Sequence, residues 1–280
     1  MDWLLTNARI PDRTEPVDIA IADGRIAQVG PALDLPAAQR WELDGCVVLP
    51  GLVEPHVHLD KTYLNSDGSF PNRTGTLLEA IDVWRAAKKE RSRFDVQAAV
   101  RRALKTAIAH GVTAMRTHVD TEEPGDLETL AAILEIREEF RDVLDLQIVA
   151  LGLVGADPLS DRTVTDALTL GADLVGGAPA LVPDPTASLD TIFALAERTG
   201  KPIDLHIDET EDPASDTLRQ LAERTITAGM QGQVTAGHCC SLAFMDEREA
   251  RRVIERVAEA GLHIVTLPAC NLALMGRGMQ

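Results

Sequence analysis

The stretch Pro50-Gly51-Leu52-Val53-Glu54-Pro55-His56-Val57-His58-Leu59-Asp60-Lys61-Thr62 decides how this chain is read. Side chains two apart on a strand share a face, so His56 and His58 can aim their imidazoles at one point. Neutral imidazole is a common ligand for zinc and iron. A strand opening a doubly wound sheet usually runs into a glycine-rich phosphate turn. This one runs into Leu59-Asp60-Lys61-Thr62 instead. Polar residues gathered at the C-terminal end of a strand are what a (β/α)₈ barrel presents at its functional face.

Outward from that strand a unit recurs. A helical stretch ends near a glycine and a short β-branched run follows, which argues for right-handed βαβ units and a parallel sheet. Seven such strands are expected, near 53–58, 112–118, 145–151, 172–176, 202–207, 234–238 and 262–267. The expected fold is therefore α/β, a (β/α)₈ TIM-type barrel with seven strands present and the eighth missing. Asp95 is expected to cap the helix that runs to about His110. Ahead of the barrel, Val17–Ile21 and Arg25–Val29 flank Asp23-Gly24, a strong hairpin signal. Trp3-Leu4-Leu5 and Cys46-Val47-Val48-Leu49 complete a small antiparallel unit, part of a composite β-sandwich. Residues 1–50 and 51–280 are the two expected domains.

Composition sets the outer bounds. With 280 residues, 45% hydrophobic and only 3% aromatic, the chain can bury a large aliphatic core of the kind that packs helices on parallel strands. A net charge of −17 and a pI of about 4.8 repel nucleic acid and anionic membranes, so neither is an expected partner. The N-terminus has no basic segment ahead of an apolar run. Cys46, Cys239, Cys240 and Cys270 fit no zinc-ribbon or disulfide spacing. The expectation is a cytoplasmic protein with reduced thiols that can form a homo-oligomer.

Five of the seven histidines fall at expected strand ends: His56, His58, His118, His206 and His238. A catalytic metal takes three or four protein ligands and keeps a position for water. His56, His58 and His206 supply three ligands for one divalent ion, zinc or iron. Such an ion lowers the pKa of bound water from ~16 towards ~7. Glu209, three residues past His206, is placed to carry a proton to a leaving nitrogen. His238, on the next strand, can hydrogen-bond the attacking oxygen or the developing oxyanion. Each has a structural alternative: His206 as a core-end histidine, Glu209 as an acidic residue at a helix start, His238 as a loop histidine. Lys61, His118 and Asn271 are candidate substrate-binding residues, with a solvated lysine and a packing histidine as the alternatives for the first two. Asp60, Asp120 and Asp208 are expected to be supporting carboxylates.

The segments Pro50–Lys61, Arg116-Thr117-His118-Val119-Asp120, Leu146-Gln147-Ile148-Val149-Ala150 and Asp204-Leu205-His206-Ile207-Asp208-Glu209 resemble the cytosine deaminase branch of the amidohydrolase superfamily. That branch also contains triazine-ring amidohydrolases, and the resemblance runs through the closing Asn271-Leu272-Ala273-Leu274. It implies a mononuclear zinc or iron site in a distorted barrel, with His56, His58 and His206 as ligands, Glu209 as acid/base and His238 beside the attacking water. Dinuclear relatives carry a carboxylated lysine on strand four; Ala172-Asp173-Leu174-Val175-Gly176-Gly177 has none. The implied activity is hydrolysis of a C–N bond in a cyclic amidine, pyrimidine-like or triazine-like small molecule. Two departures stand out. The substrate-reading glutamine after strand three is replaced by Leu151-Gly152-Leu153, and the strand-eight Asp ligand lies beyond Gln280. The chain is therefore expected to be C-terminally truncated, poorly soluble or oligomeric, and of low activity. The alternative reading is a catalytically inactive fragment that binds metal weakly.

Overall fold

Asp23 and Gly24 both take left-handed backbone angles, φ +53° and +69°, and so close a tight hairpin between β2 (Val17–Ala22) and β3 (Arg25–Gly30). The computed structural model describes residues 1–66 and 68–275. It divides into two compact units, Met1–Gly51 and Leu52–Gln280. In the first, β1 (Trp3–Ala8) and β4 (Gln39–Glu42) complete a four-stranded sheet of order β3-β2-β1-β4. Ala8, Val17 and Ile19 form its buried cluster, and Leu4 and Ala20, paired across β1 and β2, are buried as well.

The fourth strand corrects the sequence reading twice. It is Gln39–Glu42, not Cys46–Leu49, and it runs parallel to β1, so the sheet is mixed. Cys46–Leu49 follows Asp44 and Gly45, both at positive φ, and makes only a single bridge, Val47 to Arg9. All four residues of β4 are exposed, so backbone pairing alone makes it a strand and no apolar alternation announces it.

The second unit alternates strand and helix. Its strands are β5 (Leu52–Val57), β6 (Val112–Asp120), β7 (Asp145–Leu151), β8 (Leu174–Gly177), β9 (Ile203–Ile207), β10 (Val234–His238) and β11 (His263–Val265). They form one parallel sheet in chain order, the arrangement of a (β/α)₈ TIM-type barrel with seven strands. The helices are α1 (Leu77–Ala87), α2 (Arg93–Ala109), α3 (Asp126–Phe140), α4 (Pro158–Leu170), α5 (Pro185–Thr199), α6 (Thr217–Ala228), α7 (Glu247–Glu259) and α8 (Pro268–Leu274).

The helix starts follow side-chain chemistry. Asp157, Asp184 and Asp246 accept hydrogen bonds from the first turns of α4, α5 and α7. For α2 the cap is Ser92, with Asp95 as its reciprocal partner in a capping box, which moves the expected start back from Asp95. β8 and β11 are shorter than expected. Asp173, ahead of β8, holds Ile148 of β7 twice, its side chain accepting from Ile148 N at 2.8 Å and its backbone N–H donating to Ile148 O at 2.7 Å. Along β9, Ile203, Leu205 and Ile207 are fully buried in the aliphatic core, while Asp204 and His206 alternate to the other face. That alternation carries polar groups inward at the C-terminal ends of the strands.

Candidate active site

The five strand-end histidines meet. Ring centroids are 5.4 Å apart for His56 and His58, 4.7 Å for His56 and His206, 5.1 Å for His58 and His206, and 4.9 Å for His206 and His238. His118 stacks on His56 at 4.0 Å. Gly237 makes room for this packing: a Cβ there would lie 3.1 Å from His56 Cε1 and 3.2 Å from its Nδ1. Burial, reinforced by neighbouring histidines, pushes His56 down to about 2 and His58 and His206 well below the ordinary imidazole range. These rings are neutral, the form in which imidazole ligates a metal.

The donor set fits a divalent ion. His58 Nε2 and His206 Nε2 stand 3.1 Å apart, close to the separation of ~3.3 Å that two ligands on one tetrahedral zinc require. Both nitrogens of His56 and the Nδ1 atoms of His58 and His206 are buried with no hydrogen-bond partner among the described residues. Unpaired buried polar atoms are costly, and a cation coordinated by one His56 nitrogen would relieve that cost at this ring. Two groups, His56/His58/His118 and His56/His206/His238, each bring their ring nitrogens within 4.8 Å of one another.

Behind the cluster lies a network that the sequence reading did not single out. Asp204 Oδ2 accepts from Arg116 Nη1 at 2.7 Å, and its Oδ1 lies 3.1 Å from His118 Nε2. A carboxylate only accepts, so His118 donates from Nε2. Strand alternation was the available signal, since Arg116 shares a face with His118 and Asp204 with His206. His118 is fully enclosed and is not among the residues lining the cavity.

Consecutive acidic residues divide two tasks. Asp208, fully buried at φ +46°, accepts from Ser215 Oγ at 2.7 Å, from the Thr217 hydroxyl and from Leu218 N at 3.0 Å. It ties the strand end to the start of α6. Glu209 is thereby turned into the cavity, where burial alone pushes its carboxyl up to about 7. Glu209 Oε1 lies 3.3 Å from His238 Nδ1, and the same nitrogen lies 3.0 Å from Asn271 Oδ1. His238 ends β10 at φ +69°, and burial lowers its pKa.

The cavity over this cluster holds about 490 Å³. Its walls are largely aliphatic, with Leu77, Leu78 and Ile81 of α1 on one side and Leu153, Leu181 and Leu267 on the other. Lys61 reaches its edge, but the ammonium is committed to Asp120 Oδ1 at 2.6 Å and Asp60 Oδ2 at 3.3 Å, and stands 4.9 Å from the Trp84 ring. Trp84 Nε1 donates to Asp120 as well. Asn271 reaches His238 instead of the cavity wall. Thus His56, His58, His206, His238 and Glu209 share the cavity, Lys61 borders it bound to carboxylates, and His118 and Asn271 stand behind it. A second hollow of about 500 Å³, beside Tyr63, Arg91 and Arg102, has no histidine in its lining. Cys239, Cys240 and Cys270 lie near the site, and burial raises all three thiols. Gly152, at the end of β7, is packed so that a Cβ would collide with Val164 and lie 3.2 Å from the Thr121 carbonyl, which excludes a reading side chain at that position.

The sequence profile of the amidohydrolase family matches residues 80–279. The chain belongs to the amidohydrolase family. Across 93% of its length this amidohydrolase is 38% identical to pterin deaminase of Rhizobium rhizogenes, of which it spans 60%. It is 28% identical over 95% of its length to N-isopropylammelide isopropyl amidohydrolase of a Pseudomonas species, spanning 68% of that protein. Among solved structures, the 5-methylcytosine deaminase of Klebsiella pneumoniae superimposes with a TM-score of 0.92 at 31% identity, covering 99% of this amidohydrolase and 69% of the other chain. Among the described residues no helix is long and apolar enough to cross a membrane.

Proposed function

We propose that this chain carries the catalytic centre of a metal-dependent deaminase that hydrolyses an exocyclic C–N bond of a small, amino-substituted nitrogen heterocycle. The observation that carries this reading is the set of neutral, buried, unpartnered imidazole nitrogens packed beside a carboxyl of raised pKa on one cavity. His56, His58 and His206 would hold one divalent ion, zinc or iron, which when bound supplies a nucleophilic water at neutral pH. Glu209 takes the proton released as that water adds to the amidine carbon, and delivers it to the leaving nitrogen. The tetrahedral adduct then collapses to a carbonyl, with release of ammonia or an amine. A carboxyl near pH 7 suits both halves of this transfer. The aliphatic walls clasp the ring faces and exclude bulk water, and 490 Å³ lies within the range of about 300–1,000 Å³ usual for small-molecule sites.

The relatives named pterin deaminase, 5-methylcytosine deaminase and N-isopropylammelide isopropyl amidohydrolase set the screen. Pterins, 5-methylcytosine and alkylaminotriazines are tested for release of ammonia or amine, beside elemental analysis of the purified protein. His206→Ala is expected to lose the bound metal. Glu209→Gln is expected to retain it while turnover falls on the order of 10²–10⁴-fold. Equal metal in wild type and His206→Ala, or undiminished turnover in Glu209→Gln, overturns the assignment.

A further inference from the structure

Asn271 joins the site from α8, seven residues long and one strand further along the barrel than His238. It faces away from the space a substrate fills and meets the back of an imidazole. We infer that Asn271 is a positioning residue which fixes His238 as the Nδ1–H tautomer, so that His238 offers an Nε2 lone pair to the attacking water and accepts a hydrogen from it instead of donating one to an oxyanion. This rests on the deaminase reading above.

Three observations converge. Asn271 Oδ1 lies 3.0 Å from Nδ1, and Glu209 Oε1 lies 3.3 Å from the same atom. Asn271 Oδ1 can only accept, and Glu209 accepts whenever it is ionised, so the hydrogen of a neutral ring belongs on Nδ1. His238 Nε2 is buried and has no hydrogen-bond partner among the described residues, while the residue itself lines the cavity. A lone pair without a partner on that side is an open acceptor position. The backbone is arranged to the same end: His238 and Cys239 sit at φ +69° and +53°, and Cys239 N is bonded to Ile207 O at 2.9 Å and to Gly237 O at 3.0 Å. Left-handed non-glycine residues are strained and persist where the surroundings over-determine them. Here they turn the imidazole so that its Nδ1 edge meets Asn271 and Glu209. Removing the oxygen of Asn271 leaves one acceptor on Nδ1, and that one is the proton shuttle itself, which gains and loses a proton during turnover. A neutral amide holds the tautomer constant while Glu209 cycles.

The test is the tautomer of His238, read from two-bond ¹H–¹⁵N spectra of ¹⁵N-histidine-labelled, metal-free protein, with the signal assigned through His238→Gln. Wild type and Asn271→Asp, which keeps an acceptor, are expected to carry the hydrogen on Nδ1. Asn271→Leu is expected to populate the Nε2–H form. A hydrogen on Nε2 in wild type, which needs no variant to fold, overturns the inference, as does an unaltered Nδ1–H signal in a folded Asn271→Leu. Where a substrate has been identified, Asn271→Leu is expected to lower kcat at least tenfold with KM within twofold, and a rise in KM at constant kcat makes Asn271 a substrate contact instead. The spectra are recorded without metal or substrate, so their outcome is independent of whether the deaminase reading holds.

Discussion

Glu209 is held in conflict with its own charge. Its folded-state pKa of about 7 stands above the ordinary 4.5, and burial is the cause. The native state therefore binds this proton more tightly than the unfolded state. Stability contributed by the neutral acid is complete below about pH 4.5 and is lost as pH rises through about 7. Glutamine has nearly the same shape and no charge to desolvate. In metal-free protein, Glu209→Gln is expected to match wild type near pH 4.5 and to exceed it above pH 7 by up to ~3 kcal/mol. Urea titrations at several pH values check this, and a stability difference that does not change with pH refutes it. A residue whose charge costs the folded state is thus the one assigned the proton transfer. Its place was legible in the sequence because it sits three residues past His206, just beyond the inward alternation of Asp204 and His206. The roles of His118 and Asn271 were not legible in the same way. Side-chain type and strand position bring them near the site, but only packing decides that His118 is stacked behind His56 and that Asn271 is spent on His238.

At the scale of elements, the junction between β9 and α6 sets where Glu209 points. One carboxylate, Asp208, accepts from two hydroxyls and a backbone N–H. Asp208→Ala leaves these donors unpaired in a fully enclosed place. The expected loss is about 2–4 kcal/mol, measured as a lower urea midpoint, together with reduced turnover, since the turn that aims Glu209 loosens with it. A variant as stable as wild type would mean that the turn is held by other contacts. Helix and strand order in this unit was legible because apolar runs alternate with glycine stops such as Gly171, Gly200 and Gly229, which end α4, α5 and α6. Some elements escaped, β4 and α1 among them. β4 has no buried face to pattern its residues, and α1 lies in a stretch whose apolar residues line a cavity rather than a core. Periodicity reports burial, so an element whose partner is solvent or a ligand is poorly announced.

For the barrel unit as a whole, the ends of the sheet matter most. Among the described residues β5 pairs with β6 alone and β11 with β10 alone. Val53 on β5 and Ile264 on β11 remain 64% and 46% exposed, and a hollow of about 350 Å³ lined by Val53, Pro55, Arg116, Thr235 and Val265 lies beside both strands. Edge strands with free backbone groups and apolar side chains are templates for pairing with another chain. The 280-residue chain is expected to self-associate with rising concentration, and Val53→Lys to reduce the associated fraction several-fold, as followed by sedimentation velocity. A single monomeric boundary at every concentration would show that these edges are inert.

The cysteines, incidental to the chemistry, hand the experimenter a tool. Reaction with maleimides needs a thiolate that reagents can reach. Cys239 and Cys240 are buried, Cys240 is held up at about 11, and Cys239 and Cys270 are likewise raised by burial. Cys46 alone is exposed. A fluorophore offered at neutral pH should therefore settle on Cys46 of the unaltered protein. That gives a site-specific optical reporter on the small β-unit while every side chain around the histidine cluster stays as the sequence made it.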